Sequence, residues 1–174
     1  IENRADQWLA AIKGEVESIT TPEEATPPTG DLLGEAAESA VRSADPANGG
    51  FGESGPKFPQ SGRIHLLLRA FARTGEPRYL DVATDALDAM IAGGLFDHVG
   101  GGFHRYATDA TWTVPHFEKM LYDNAEITRA LLAGYQLTAD DAYADAVERT
   151  LAFVDRELTH PKGGFFSTLD ARSE

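Results

Sequence analysis

An all-α fold, in which helical hairpins stack around an axis as an α/α toroid, is predicted by three features of this 174-residue chain. Apolar residues recur at helical spacing along most of its length, and no segment alternates as a core strand. A register repeats: Thr74, Tyr79, Asp81 and Leu87 return as Thr138, Tyr143, Asp145 and Leu151, each 64 positions later. Leu68 and Phe71 match Leu132 and Tyr135 at the same offset. Gly-Gly-Phe occurs at 49–51, 101–103 and 163–165, each time after a predicted helix. Short helix–helix turns thus alternate with long glycine-rich loops, the pattern of hairpins ringing an axis with their long loops gathered at one end.

The elements follow in order. Ile1 to Ile19 places Trp8, Leu9, Ile12, Val16 and Ile19 on one helical face. Thr20 to Asp31, TTPEEATPPTGD, has no face to bury and reads as a linker. Asp31 caps a helix over Leu32 to Ala44, with Leu33, Ala36, Ala37, Ala40 and Val41 on its apolar side. After the loop NGGFGESGPKFPQ, Ser61 caps a helix carrying Ile64, Leu67, Leu68, Phe71 and Ala72. It stops at Thr74-Gly75-Glu76-Pro77, where Gly75 suits the left-handed position after a helix. A third helix runs from Arg78 to Ala92 and ends at Gly93-Gly94. The long loop Leu95 to Val114 leads to a fourth, which Pro115 opens as a first-turn residue and which reaches Leu137. Asp140 or Asp141 caps a fifth that ends near Leu158, and Pro161 to Glu174 form a last loop. Short hairpins fit within the glycine loops. The expected organisation is a helix over 1–19, a linker over 20–31 and the first part of a toroid over 32–174, all cut from something longer.

Composition excludes several classes. Lys and Arg number 15 against 28 Asp and Glu, a formal net charge of −13 that repels nucleic acid and anionic membranes. No apolar run reaches the roughly 18 residues of a membrane helix. The absence of cysteine removes disulfides, thiolate metal sites, iron–sulfur clusters and thiol catalysis from this segment. A hydrophobic content of 42% rules out a disordered acidic tail.

Candidate chemistry concentrates in GGLFDHVGGGFHRYATDATWTVPHFEKMLYDNA, residues 93–125. It holds His98, His104 and His116 with Asp97, Asp109, Glu118 and Asp123, plus Arg105, Tyr106 and Trp112. Imidazoles move protons near neutral pH, and a neighbouring carboxylate sets their tautomer and basicity. Asp109 and Glu118 are an acid pair of the kind that glycoside hydrolysis uses. Trp112 and Tyr106 offer flat faces for sugar rings. The competing reading of His116, Glu118 and Asp123 is helix capping and loop bracing. Gly100-Gly101-Gly102 lacks the G-x-x-x-x-G-K-[ST] pattern and a preceding strand, so it reads as a tight turn and not a phosphate cradle. The histidines lack H-x-x-x-H or H-E-x-x-H spacing, so no metal is assigned. Lys57, in GPKFP, is either a cation at the loop mouth or a solvated turn lysine. Phe51, Phe103 and Phe165 read as loop anchors.

These stretches, with GGFFSTLDARSE at the end, resemble the YyaL-type proteins, the thioredoxin-domain-containing group that includes spermatogenesis-associated protein 20. The resemblance covers Leu32 to Glu174. It implies a six-hairpin toroid like those of N-acylglucosamine 2-epimerases and six-hairpin glycosidases, preceded by a thioredoxin-like domain whose tail would be Ile1 to Ile19. It departs at Asp170-Ala171-Arg172-Ser173, where the family reads D-A-D-S and the second acid is absent here. The expected function is a carbohydrate-active toroid of epimerase, isomerase or glycosidase type. Its expected proton-transfer set is His98, His104, His116, Glu118 and Asp109. Asp97, Arg105, Tyr106, Trp112, Asp123 and Lys57 are expected to hold the sugar. The alternative is a non-catalytic module serving the thioredoxin-like domain. No cofactor, nucleic acid or membrane is expected, and the setting is cytoplasmic. The segment alone is expected to be inactive and to self-associate through uncovered apolar faces.

Overall fold

The computed structural model describes residues 5, 7–10, 12–13 and 30–172. The chain divides into two units, Ile1–Leu32 and Leu33–Glu174. In the first, the described residues between 5 and 13 are helical, and Trp8, Leu9 and Ile12 are exposed. The expected linker lies outside the described residues apart from Gly30 and Asp31.

The second unit is built on helices α1 (Leu32–Arg42), α2 (Ser61–Thr74), α3 (Pro77–Ala92), α4 (Leu121–Thr138) and α5 (Asp141–Phe153). A π-helical turn over Val154–Leu158 continues α5. Helices α2 and α3 pack as one hairpin, α4 and α5 as a second, and α2 lies along α4. Their facing stripes, including Leu67, Leu87, Ile127 and Leu131, are fully buried in one core.

The 64-residue repeat has a physical meaning at each of its polar positions. Thr74 donates its hydroxyl to Ala70 O at 2.7 Å and accepts Glu76 N at 3.2 Å; Thr138 repeats both bonds with Gly134 O at 2.9 Å and Asp140 N at 3.2 Å. The Tyr79 hydroxyl donates to Glu38 on α1 at 2.6 Å, and the Tyr143 hydroxyl donates to Asp88 on α3 at 2.7 Å. Each hairpin is thereby tied to the helix before it. The turns close with left-handed residues, Gly75 at φ 72° and Ala139 at φ 57°.

The fourth helix starts later than the sequence suggests. Pro115 opens no helix; Pro115–His116 is strand β2, paired antiparallel with β1 (Tyr106–Ala107). A proline at a strand edge donates no hydrogen bond and needs none. Strand β3 (Lys119–Met120) pairs with β4 (Thr168–Leu169), and only then does α4 begin at Leu121. Ser61 is the first residue of α2 and not its cap, the preceding Gln60 being left-handed at φ 48°. Asp140 does cap α5, accepting Ala142 N at 2.9 Å.

The Gly-Gly-Phe loops share one geometry. Each phenylalanine bridges back to the helix end, as Ala44↔Phe51, Phe96↔Phe103 and Thr159↔Phe165. Both glycines of each pair have positive φ, between 70° and 91°. A Cβ on Gly50 would fall 2.6 Å from the Trp112 ring, and one on Gly102 would fall 2.5 Å from the Phe153 ring, so an aromatic side chain closes over the second glycine. Phe51 and Phe103 are buried anchors, whereas Phe165 is 63% exposed.

Inside the first two loops sits the same ion pair. Lys57 Nζ donates to Asp45 Oδ2 at 2.5 Å and to Gly49 O at 2.9 Å. Lys119 Nζ donates to Asp97 Oδ2 at 2.6 Å and to Gly101 O at 2.8 Å. The other oxygen of each aspartate accepts turn amides, from Ala47 and Asn48 in one loop and from Val99 and Gly100 in the other. The third loop puts His160 in the aspartate's place, where its Nδ1 accepts Lys162 N at 3.1 Å. Among the described residues, no helix is long and apolar enough to cross a membrane.

Removing one partner of a buried pair strands the other charge. Lys57→Met leaves Asp45 buried and unpaired, and is expected to lower the unfolding free energy by about 3–5 kcal/mol. Lys119→Met should cost less, because its partner's side chain is 27% exposed where that of Asp45 is 3%. Urea unfolding of both variants checks the order. Burial alone would raise the two carboxyls, but the lysines and the turn donors override it and hold both well below the usual carboxylate range. The unfolded chain therefore binds these protons first, and stability should fall as pH drops below about 4, the range where unfolded aspartates titrate. A stability curve between neutral and acid pH should be flatter in the Asp45→Asn/Lys57→Met double variant.

Candidate functional site

The β1–β2 hairpin is held from both ends by the two lysines. The Lys57 amide donates to Ala107 O at 2.8 Å and the Ala107 amide donates to Lys57 O at 2.9 Å, so the first loop adds an edge to β1. On the far side, the Arg105 amide donates to Glu118 O at 2.8 Å, immediately before Lys119. Cross-strand partners share a face, so Tyr106 and His116 meet as stacked rings with centroids 4.9 Å apart. Phe58, carried in beside Lys57, stacks on Tyr106 at 4.8 Å. Phe117 meets His104 edge-on at 5.2 Å. The result is a shelf of rings on a short, braced hairpin.

Next to this shelf lie polar atoms that the fold leaves unsatisfied. His104 Nδ1, Arg105 Nε, His116 Nδ1 and Asp123 Oδ2 are buried without a hydrogen-bond partner. Buried polar atoms without partners are rare and costly. They present donors and acceptors together, as a ligand bearing several hydroxyl groups requires. Arg105 Nη1 is paired with Glu118 Oε2 at 2.9 Å. That pair and Tyr122 hold the guanidinium firmly protonated. Burial pushes the Asp123 carboxyl up to about 6, against the opposing pull of Arg105 and the Tyr122 hydroxyl. Burial, then the Lys119 ammonium, lowers His104 and favours its neutral form, the form that accepts a proton.

Of the eleven expected site residues, the structure brings six together: His104, Arg105, Tyr106, His116, Glu118 and Asp123. The other five are drawn into the scaffold. Lys57 is 1% exposed and committed to Asp45, so it is neither a loop-mouth cation nor a solvated one. Asp97 is committed to Lys119 and its own turn. Asp109 is committed to its own turn, accepting the Thr111, Thr113 and Val114 amides and the Thr111 hydroxyl, which holds its carboxyl down at about 2. Trp112 is buried with its indole N–H on the Asn48 and Gly49 carbonyls, so it braces the first loop and offers no face for stacking. His98 Nε2 lies 3.0 Å from Gly93 O. Sequence reasoning missed Phe58 and Phe117, 45% and 60% exposed beside this set. An aromatic residue next to each polar candidate was the available signal. Among the described residues, no three His, Asp or Glu side chains are grouped to hold a metal ion.

Comparison with known proteins places the fold. Residues 63–174 match the N-acylglucosamine 2-epimerase (GlcNAc 2-epimerase) family. Spermatogenesis-associated protein 20 of Homo sapiens is 43% identical over 134 residues, and that of Mus musculus 42%. The alignments take in 74% of this chain and 17% of each relative, so the chain spans about a sixth of their length. A sugar epimerase from a ruminal bacterium superimposes with a TM-score of 0.71 at 17% identity, over 81% of this chain and 41% of that one. Cellobiose 2-epimerase from Spirochaeta thermophila gives 0.66 at 21% identity, over 86% and 42%. A D-mannose isomerase gives 0.57 at 28% identity, over 67% and 31%. The helices described here are those of an (α/α)6 toroid.

An acid whose carboxyl is raised on folding takes up protons in the native state, so it costs stability as pH rises through the interval from about 4 to 6. Asp123→Asn removes that cost. After discounting for partial solvent screening, the variant is expected to be about 1 kcal/mol more stable than the parent above pH 7 and equal to it below pH 4. Thermal unfolding across that range checks the sign.

Proposed function

The chain belongs to the N-acylglucosamine 2-epimerase family, and from that premise we propose that its β1–β2 hairpin is part of a sugar site with isomerase-type proton chemistry. One observation carries the reading: four buried, unpartnered polar atoms, from His104, Arg105, His116 and Asp123, gathered beside an aromatic shelf. Sugars present apolar ring faces and hydroxyl rims, and this surface offers a complement to each. His104, favoured as the neutral imidazole, takes the proton from the carbon beside a sugar carbonyl, and His116 is the second proton carrier. Arg105 Nε and Asp123 bind hydroxyls, Arg105 donating and Asp123 accepting. Tyr106 and Phe58 support the ring. Glu118, paired with Arg105, orients the guanidinium and is not the acid of a glycosidase.

A second reading has its own support. The ring stack of Phe58, Tyr106 and His116 needs no proton transfer to hold a sugar, which suits a non-catalytic module. In that case the toroid serves a thioredoxin-like domain of the same polypeptide, in the cytoplasm; the family resemblance and the lack of cysteine here support the arrangement. Exposed Tyr135, Leu151 and Phe165 support self-association of this segment.

Deuterium wash-in from solvent, followed by NMR on a panel of reducing sugars with a protein carrying the complete toroid, separates the readings. The isomerase reading expects exchange at the carbon beside the carbonyl. It also expects a loss of about 10²–10⁴-fold in His104→Ala and in His116→Ala, with folding intact. Unchanged exchange in both variants overturns it, and sugar binding without exchange assigns the module instead.

A further inference from the structure

Between α2 and α4 runs a groove of about 350 Å³, within the size range of small-molecule sites. Its polar lining is His65, Arg69, Arg129 and Gln136, and every titratable side chain in that lining is basic. In a chain with a net charge of −13, such a wall is a local inversion of the overall field. His65 Nε2 is buried there without a hydrogen-bond partner. Burial and the nearby Arg129 and Arg69 cations hold its imidazole below its ordinary value.

Arg129 keeps donors to spare. Its Nη1 is shared between the two oxygens of Glu126, at 3.0 and 3.1 Å, while a guanidinium carries five N–H groups. Both arginine side chains reach solvent, so a ligand can meet them without unfolding the helices. The rest of the lining is aliphatic, with Leu68 buried and Leu132 and Leu137 exposed at 46% and 36%. A cationic rim over an aliphatic floor is complementary to one class of small molecule.

We propose that the α2–α4 groove binds an amphiphilic carboxylate, its head on the Arg69 and Arg129 guanidiniums and His65, its aliphatic body along Leu68, Leu132 and Leu137. Guanidinium binds carboxylate through two parallel hydrogen bonds, which supplies specificity as well as charge. The apolar body gains by leaving water.

Isothermal titration of the 174-residue chain with decanoate, decanol and decylamine tests this. Decanoate should bind saturably below its micelle concentration, and decanol and decylamine should bind at least about tenfold more weakly, the effect of losing roughly 1.4 kcal/mol. Arg69→Gln and Arg129→Gln should each weaken decanoate by a similar factor, with circular dichroism confirming the helices. Glu126→Gln releases Arg129 and should tighten it. Absence of saturable binding overturns the proposal. So does equal affinity for decylamine, or full affinity in both arginine variants.

Discussion

A lysine ammonium driven into the turn of a glycine loop is the constraint on which this structure depends. Burying a lysine and an aspartate together is costly unless every donor and lone pair finds a partner. Here the loop supplies most of them. Lys57 spans Asp45 and Gly49 O, and Lys119 spans Asp97 and Gly101 O, while turn amides take the remaining carboxylate oxygens. The glycines make this geometry available, since the carbonyl that faces the ammonium belongs to a residue with positive φ in both loops. Aromatic rings then seal the pair. Lys57 lies 5.5 Å from the Trp112 centroid and Lys119 4.3 Å from that of Phe153.

The site follows from where those lysines sit in the chain. Their backbones flank one hairpin, Lys57 against Ala107 and Lys119 directly after Glu118. Pinning both side chains therefore fixes the hairpin without help from a larger sheet, although two-residue strands alone are marginal. The contrast in satisfaction marks the division of labour. Both oxygens of each pinning aspartate are hydrogen-bonded, whereas His104, Arg105, His116 and Asp123 keep buried atoms unpaired. Unpaired atoms beside a rigid frame are what a ligand site needs, and the stability they cost is offset by the frame.

Much of this was legible in the sequence. The 64-residue register and the recurring Gly-Gly-Phe gave the hairpins and their order, because the same threonine and tyrosine bonds recur at each step. The start of α4 was not legible: Pro115 fits a first helical turn and a strand edge equally well, and the choice is made by pairing with Ala107. The roles of Lys57, Asp97, Asp109 and Trp112 were also hidden. Each residue type suits a binding site, and only the tertiary partner shows that it is already occupied. One clue was present, since Asp45 and Asp97 stand at the same spacing before their Gly-Gly-Phe. Their lysines follow at different distances, so the full motif does not repeat as a string.

The buried lysines, and not the helices, hold the hairpin in place. Native-state hydrogen exchange on Lys119→Met reads this out amide by amide. The Arg105 and Thr108 amides, bonded to Glu118 and Val114, should lose about tenfold or more of their protection, while amides in the middle of α2 and α3 keep theirs. Unchanged protection at Arg105 and Thr108, or an equal loss throughout the helices, would contradict it.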